Sequence, residues 1–231
     1  MTVRGILFDI DDTLIDYSGA ARVGLLRHLE AEGLLDRFES PDSAVALWKA
    51  LEEHEYVRYL HGELTFPEQQ IVRTERFLTQ VNVTTDNPRA WFDRYVAHRN
   101  STWSAFPDAP PLLHSLTGRT ALGVVSNSAL AHQVYKLDAV GLLPHFGDAV
   151  LCSQEHGAPK PDPSIFLAGC ALLGLPAHEV AYVGDRYDVD GLGARDAGLR
   201  AYWLDRTATA TTDLDGVTVI GSLAELRHAV A

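Results

Sequence analysis

The sequence predicts an α/β fold, a doubly wound parallel sheet with an inserted helical cap. Short strand-like apolar runs recur along the chain and alternate with helical patterns, which is typical of a parallel sheet with helices on both faces. One long stretch, residues 16–104, shows only helical spacing. The 231 residues, 46% of them hydrophobic, are sufficient for a substantial core.

Six apolar runs are predicted as the strands of the sheet. They are residues 3–8, 121–125, 149–152, 180–183, 201–204 and 217–220. In an open parallel sheet, ligands bind beyond the carboxyl ends of the strands. Three of those ends carry Asp9, Ser126 and Asp185, so the sequence predicts a functional site at this edge. Residues 207–212 are predicted to form a surface loop.

Between the first and second strands, helix-spaced apolar residues predict four amphipathic helices. Their apolar faces include Leu29, Trp48, Phe77 and Trp91. We therefore predict two domains, an α/β core of residues 1–15 and 105–231 and a helical cap of residues 16–104. Because the insertion leaves the sheet at the edge that carries the site, the cap is expected to cover that site.

The composition argues against several partners. A formal net charge of −12 repels a phosphate backbone, so no nucleic-acid partner is expected. The longest uncharged apolar stretch, residues 165–175, is far shorter than the ~20 residues of a membrane helix, so no membrane partner is expected. Two cysteines, Cys152 and Cys170, do not make a disulfide framework, which favours a reducing, cytoplasmic location. The sequence does not indicate an oligomeric state.

The first motif is Asp9-x-Asp11-x-Thr13, directly after the first strand. Side chains two apart on an extended chain point the same way, so Asp9 and Asp11 would lie together, and a metal ion or a shared proton would offset their repulsion. Asp9 can attack phosphorus as a nucleophile, and Asp11 can act as acid and then base. Thr13 can hydrogen-bond Asp11 or a phosphate. Asp12 is predicted to be a turn residue that points away.

The second motif is Ser126-Asn127, at the end of the second strand. A hydroxyl at this point, with nearby backbone N–H groups, can bind a phosphate oxygen. Taken alone, a serine at this position is more often the cap of the helix that follows.

The third motif is Lys160-Pro161-Asp162-Pro163. Asp162 and Pro163 are predicted as the N-cap and first residue of a helix. Lys160, one of three lysines in the chain, would then be a cation held where prolines restrict the backbone at the start of a helix. Such a cation can offset carboxylate and phosphate charge.

The fourth motif runs from Gly184-Asp185 to Asp190, after the fourth strand. Mg²⁺ prefers oxygen ligands and needs only one or two carboxylates besides the substrate phosphate, which Asp9 and Asp185 can supply. Asp190 could hold Lys160 by an ion pair, and Asp188 is the competing choice. Arg186 could contact substrate or pair with Asp188.

In this order, the four motifs resemble those of the haloacid dehalogenase superfamily, in its C1-capped phosphatase branch. The resemblance covers residues 3–13 and 105–203, and the helical insertion stands where C1-capped members carry theirs. It implies in-line phosphoryl transfer to Asp9, giving an aspartyl-phosphate, with Asp11 as the acid and base. It also implies Mg²⁺ held by the side chains of Asp9 and Asp185 and the backbone carbonyl of Asp11.

The remaining motif residues are implied to bind phosphate or to support the site. Ser126, Asn127 and Lys160 would hold the phosphoryl oxygens, together with Thr13. Asp190 would support Lys160 or a metal-bound water.

The function that this resemblance implies is a Mg²⁺-dependent phosphatase for small phosphorylated metabolites. A phosphomutase of sugar phosphates would share all four motifs. A 2-haloacid dehalogenase fits less well, because a halide leaves without a proton and such enzymes lack the second acid of the first motif. A receiver-type phospho-acceptor module is shorter and carries its groups in another order. P-loop and zinc-hydrolase motifs are missing from the sequence.

The sequence does not name the substrate. Four side chains of the predicted cap are candidate specificity contacts, namely Arg58, His61, Arg73 and Arg76. The ordinary role of such residues, pairing between helices on solvated faces, is favoured for each.

Overall fold

The computed structural model describes residues 2–207, 209 and 214–228. It divides into two compact units, one of Met1–Asp16 with Ser104–Ala231 and one of Tyr17–Trp103. Of the predicted loop at 207–212, all but Thr207 and Thr209 lie outside the described residues. The role of 16–104 as a cap stays a prediction.

The first unit contains a six-stranded parallel sheet, which confirms the predicted doubly wound α/β architecture. Its strands are β1 Gly5–Phe8, β2 Ala121–Ser126, β3 Val150–Cys152, β4 Val180–Gly184, β5 Arg200–Leu204 and β6 Thr218–Ile220. Their spatial order is β3-β2-β1-β4-β5-β6.

The α-helices of the described residues are, in chain order, α1 Tyr17–Ala31, α2 Pro41–Leu60, α3 Phe66–Gln80, α4 Pro88–Asn100, α5 Ala109–Leu116, α6 Leu130–Ala139, α7 Ser153–His156, α8 Pro163–Leu172 and α9 Leu192–Asp196. A π-helical turn, Tyr187–Gly191, precedes α9. Within the part of the chain described, no helix combines the length and apolar character needed to cross a bilayer.

The strand order places a topological switch point beside β1. The chain passes from β1 to β2 and β3 on one side, then returns to β4 on the other side of β1. In open α/β sheets, the crevice at such a point is where ligands bind. Phe8 is in register with Val183, and the backbone N–H of Asp9 donates to the Val183 carbonyl at 2.8 Å. The residues that follow β1 and β4 therefore meet at one edge.

Close packing of α8 against the sheet sets the core beneath this edge. Leu7, Val125, Phe166 and Tyr182 belong to one buried cluster. A Cβ atom on Gly169 would lie 2.7 Å from Val125 and 2.8 Å from Leu7, so only glycine lets α8 approach this closely. Burial of each large apolar side chain contributes about 1.5–3 kcal/mol to folding.

The second unit is built from α1 to α4 around an aromatic core. The Trp48 ring packs edge-on against Phe77 and Tyr95, with ring centroids about 5 Å apart. A Cβ atom on Gly24 would lie 2.5 Å from the Arg99 Cα, so the missing side chain permits the close approach of α1 and α4. The helical composition predicted for this segment is thus observed.

Three of the four candidate specificity residues form ion pairs inside this unit. Arg73 is buried over the Trp48 ring, with 4.6 Å between its guanidinium carbon and the ring centroid, and it pairs with Glu52. Arg58 and Arg76 both pair with Glu55. His61 is exposed at the end of α2. The Arg73 and Arg76 pairs join α3 to α2, which is the pairing between helices that the sequence favoured, whereas the Arg58 pair lies within α2.

We expect acid to destabilise the second unit through His28. This side chain is buried against Trp91, with ring centroids 4.3 Å apart, and burial lowers its pKa to about 4. The unfolded state takes up a proton near pH 6.5, but the folded state resists it down to about pH 4, so stability falls as pH decreases through this window. The loss between pH 7 and 5 is about 1–2 kcal/mol. Denaturant unfolding at both pH values measures it.

The variant His28→Phe keeps a ring against Trp91 and cannot titrate. It is expected to lose this part of the pH dependence, whereas the exposed control His61→Phe retains it. An unchanged pH dependence in His28→Phe would show that another group drives the acid loss.

Candidate active site

Polar residues from the first and fourth motifs converge at the carboxyl edge of the sheet. Asp9 follows β1, Asp185 follows β4, and Asp190 lies in the π-helical turn. One carboxylate oxygen of each lies within 4.8 Å of those of the other two. Asp9 and Asp190 are almost fully buried. The structure therefore brings Asp9 of the first motif beside two carboxylates of the fourth motif, which is distant from it in sequence.

Lys160 is the buried cation at the centre of this cluster. Its Nζ donates to Asp9 Oδ1 and to Asp190 Oδ1, each at 2.7 Å, and to the Tyr182 hydroxyl at 2.8 Å. The Tyr182 hydroxyl lies 3.0 Å from the carbonyl of Val125, to which it donates. Because an ammonium with several charge-assisted bonds has few alternative positions, Lys160 is fixed against Asp9. Sequence reasoning missed Tyr182, which reads as one more apolar residue of β4.

The side chain of Asn127 positions Lys160. Its Nδ2 donates to the Lys160 carbonyl at 2.8 Å, and its Oδ1 accepts from the Lys160 N–H at 2.7 Å. Asp162 caps α8 by accepting from the Ser164 N–H at 2.8 Å, as predicted, and the Lys160–Pro161 peptide bond is cis. Since the Asn127 amide is bound to the backbone of Lys160, a phosphate contact from Asn127 would use its backbone N–H.

Asp190, and not Asp188, contacts the buried lysine. Besides accepting from Lys160, Asp190 accepts from the Arg186 N–H at 3.0 Å through Oδ2. A Cβ atom on Gly184 would lie 2.3 Å from the Asp190 carboxyl carbon, which explains the glycine before the fourth-motif acid. The Asp188 side chain is 69% exposed and lies 3.8 Å from Arg186 Nε.

The side chain of Asp11 turns toward α6. Its Oδ1 is bound by Lys136 Nζ and its Oδ2 accepts from Gln133 Nε2 at 3.0 Å. Gln133 Nε2 also contacts Ser126 Oγ at 2.8 Å. Sequence reasoning missed Gln133 and Lys136. The sequence feature that could have indicated them is their spacing. Gln133 and Lys136 share the buried face of a helix with Leu137, where apolar residues are usual.

The two hydroxyls of the motifs occupy distinct positions. Ser126 does not cap α6, whose N-cap is Ala129, so the capping alternative is wrong. Thr13 Oγ1 is buried and has no hydrogen-bond partner among the described residues. The Thr13 carbonyl accepts from Arg206 at 2.8 Å, and Arg206 also binds both carboxylate oxygens of Asp108 at 3.0 Å. This pair anchors the loop that carries the first motif.

The charges of the cluster do not balance. Burial, only partly offset by Lys160, raises the pKa of Asp9 to about 7. Burial is the largest cause that raises the pKa of Asp185 well above its usual value. Repulsion from the charges of Asp190, Asp9 and Asp12 raises it further. Asp12 lies in a turn with a φ of 57°, as expected, and its charge still contributes to the raised pKa of Asp185. Strongly perturbed carboxylates in a crevice indicate a functional site.

The Asp11 carboxyl, whose side chain is 33% exposed, has the opposite pKa shift. Burial alone would raise its pKa, but Lys136 and Gln133 outweigh that effect and hold the pKa of Asp11 below its usual value. The site therefore contains two acids with opposite pKa shifts, Asp9 upward and Asp11 downward. A lowered pKa favours the ionised form of Asp11, which can accept a proton, so Asp11 must first take up a proton before it can act as an acid.

Residues 3–198 match the model of the haloacid dehalogenase-like hydrolase family. The chain belongs to this family, which confirms the resemblance of its motifs to the haloacid dehalogenase superfamily.

Several relatives of known activity cover most of the chain. Pyrimidine 5'-nucleotidase YjjG of Escherichia coli (strain K12) is 29% identical over 201 residues, covering 87% of this chain and 85% of the relative. Phosphoserine phosphatase of Thermus thermophilus is 29% identical over 221 residues, with coverage of 87% and 88%.

Solved structures share the fold over almost the whole chain. The HAD-hydrolase YfnB of Bacillus subtilis, bound to magnesium, has a TM-score of 0.87 at 23% identity and covers 100% of this chain and 99% of that one. The 2-haloacid dehalogenase of Pseudomonas syringae pv. Tomato DC3000 has a TM-score of 0.67 at 25% identity, with coverage of 99% and 98%.

Proposed function

We propose that the protein is a Mg²⁺-dependent phosphatase that hydrolyses small phosphorylated metabolites through an aspartyl-phosphate on Asp9. The observation that carries this proposal is the arrangement of the first motif. A buried Asp9 is held by Lys160, and a second carboxylate, Asp11, stands two residues later with its own cation. Relatives named as phosphatases and a nucleotidase support phosphate-ester chemistry.

The proposed reaction has two steps that share one acid–base residue. In the first, which starts with Asp11 protonated, a carboxylate oxygen of Asp9 attacks phosphorus, the bond from phosphorus to the ester oxygen breaks, and Asp11 gives that oxygen its proton. In the second, water attacks phosphorus and gives a proton to Asp11, while the Asp9 carboxylate leaves with the bonding electrons. The balance is ester plus water to alcohol plus phosphate.

The transferring phosphoryl group needs donors for its oxygens. Ser126 and Lys160 are assigned this role, and the buried, unpartnered hydroxyl of Thr13 is a third donor within the described residues. Asn127 contributes through its backbone N–H while its side chain holds Lys160. Asp190 orients Lys160 from the other side.

The residues fit a divalent cation. Three clustered carboxylates lie beside one lysine, and the raised pKa values of Asp9 and Asp185 support the binding of a further positive charge there. Because Asp190 already binds Lys160, we assign Mg²⁺ to the side chains of Asp9 and Asp185 and the backbone carbonyl of Asp11. Bound Mg²⁺ would favour the ionised form of Asp9 and offset phosphate charge.

A 2-haloacid dehalogenase is the second candidate, because solved dehalogenases share the fold. Asp11 argues against it, since a halide leaves without a proton and needs no acid. A screen of phosphorylated metabolites in Mg²⁺, run beside halide release from 2-haloacids, separates the two. Release of free phosphate, without an isomerised sugar phosphate, also separates a phosphatase from a mutase.

We expect activity to require Mg²⁺. EDTA should abolish phosphate release and Mg²⁺ should restore it, whereas Ca²⁺ should restore it poorly because Ca²⁺ takes more ligands at about 2.3–2.6 Å instead of about 2.0–2.1 Å. Mg²⁺ should also raise the melting temperature, because a ligand that binds only the folded state stabilises it. Phosphate release and thermal melting measure the two effects.

The matched variants are Asp185→Asn and Asp188→Asn, which lie near one another in sequence. Asp185→Asn is expected to lose the melting shift with Mg²⁺, and the exposed Asp188→Asn to keep it. Activity that persists after rigorous chelation, or an equal shift in both variants, would contradict the assignment.

A further inference from the structure

Two buried polar residues of α6 hold the Asp11 carboxylate. Lys136 and Gln133 are both 0% exposed. Lys136 binds one carboxylate oxygen of Asp11 and Gln133 binds the other. A single donor leaves a carboxylate free to rotate about its Cβ–Cγ bond, but two donors on separate oxygens fix the plane of the group. Asp11 therefore has a defined direction.

The same amide links Asp11 to the end of β2. Gln133 Nε2 lies 3.0 Å from Asp11 Oδ2 and 2.8 Å from Ser126 Oγ. The acid and the hydroxyl assigned to phosphate are thus held by one group. Displacement of Gln133 would move both relative to a bound phosphate ester.

Packing alone does not account for these residues. A buried ammonium loses its hydration, and Gln133 Oε1 is buried without a hydrogen-bond partner among the described residues. Apolar residues would fill the same helical face, as Leu137 does, without these losses. Polar residues that break the pattern of a buried helix face are expected where function requires them.

The two buried lysines of the site have separate partners. Lys160 contacts Asp9 and Asp190, whereas Lys136 contacts Asp11. Each acid of the first motif is therefore held by its own cation. None of the four motifs contains Lys136 or Gln133.

We propose that Lys136 and Gln133 are positioning residues that hold the Asp11 carboxylate at the phosphate-binding edge, so that it reaches the leaving oxygen in the first step and the attacking water in the second. This inference rests on the proposed phosphatase function. Small errors in the placement of a catalytic group can cost about 10²-fold in rate. The loss should fall on kcat, and most strongly on esters whose leaving group needs a proton.

The test compares Lys136→Met and Gln133→Leu with the exposed control Lys49→Met. For an alkyl phosphate, both test variants should lower kcat by about 10- to 10²-fold with KM changed less than about 3-fold. For p-nitrophenyl phosphate, the initial burst of p-nitrophenol should be nearly retained. Lys49→Met should match the parent. An equal loss of the first-turnover rate for both substrates in both variants, or parental kcat for the alkyl phosphate in Gln133→Leu, overturns the proposal.

A double-mutant cycle with Asp11→Asn identifies the route of the effect. If Lys136 acts through Asp11, the double variant Lys136→Met/Asp11→Asn should have a kcat less than about 2-fold below that of Asp11→Asn alone. A loss as large as in the parent background would show that Lys136 acts elsewhere. Parental alkyl-phosphate turnover by Asp11→Asn alone would instead refute the proposed mechanism. Gln133→Leu replaces Lys136→Met in the cycle if the latter does not fold.

Discussion

Asp9→Asn is expected to lower phosphatase turnover by about 10³-fold or more while leaving the fold intact. An amide is a poor nucleophile and a poor ligand for Mg²⁺. The fold should persist because the amide oxygen can still accept a hydrogen bond from Lys160. Lys160 also retains its hydrogen bonds to Asp190 and Tyr182. Phosphate release in Mg²⁺, circular dichroism and thermal melting are the measurements.

The control for this variant is Asp138→Asn, the same change on the exposed face of α6. It should turn over like the parent. Acid quenching of the parent during turnover should trap phosphate on the peptide that contains Asp9. The same treatment of Asp9→Asn should trap no phosphate on this peptide. Parental hydrolysis by a well-folded Asp9→Asn protein would refute Asp9 as the nucleophile.

The sheet was predictable because strands buried on both faces are nearly continuous apolar runs. All six predicted strands are present, with ends that differ by one or two residues, as at Gly5 of β1 and Ser126 of β2. The chain order of the runs and the parallel architecture also predicted that Asp9 and Asp185 would meet, since both follow strand ends. These features depend on local pattern and topology alone.

The partners of Asp11 were not predictable in the same way. Lys136 is 125 residues from Asp11 in sequence, and nothing local shows which buried polar residue faces which acid. Tyr182 was hidden for a related reason, because an aromatic residue inside an apolar strand is usually packing. In the structure its hydroxyl binds Lys160. Side chains that act across the sheet become evident only when the fold is known.

The role of Asn127 shows a second limit. The resemblance to the superfamily implied a phosphate contact for Asn127, and this residue lies directly after β2. The side-chain amide instead makes a two-bond contact with the backbone of Lys160. A sequence pattern locates the residue at the site, but which of its atoms face the site depends on the path of a loop 33 residues later.

Asp11→Asn is expected to lower turnover of alkyl phosphates by about 10²–10⁴-fold, because an alkoxide needs a proton as it leaves. An aryl phosphate has a better leaving group, so its first step should suffer less. Water attack on the aspartyl-phosphate would still lack a base. A burst of phenol followed by a slow steady state is therefore expected. Rapid-quench kinetics with p-nitrophenyl phosphate and an alkyl phosphate measure both phases.

The stability of Asp11→Asn needs its own measurement, since the substitution leaves the buried Lys136 ammonium beside an amide. Breaking a fully buried pair costs about 3–5 kcal/mol, and the 33% exposure of the Asp11 side chain makes this an upper bound, so assays belong well below the lowered melting temperature. Asp148→Asn, the same change on an exposed loop, is the control and should behave like the parent. If folded Asp11→Asn hydrolyses alkyl phosphates at the parental rate, or if the parent releases halide from 2-haloacids instead, Asp11 is not the acid and base of a phosphatase.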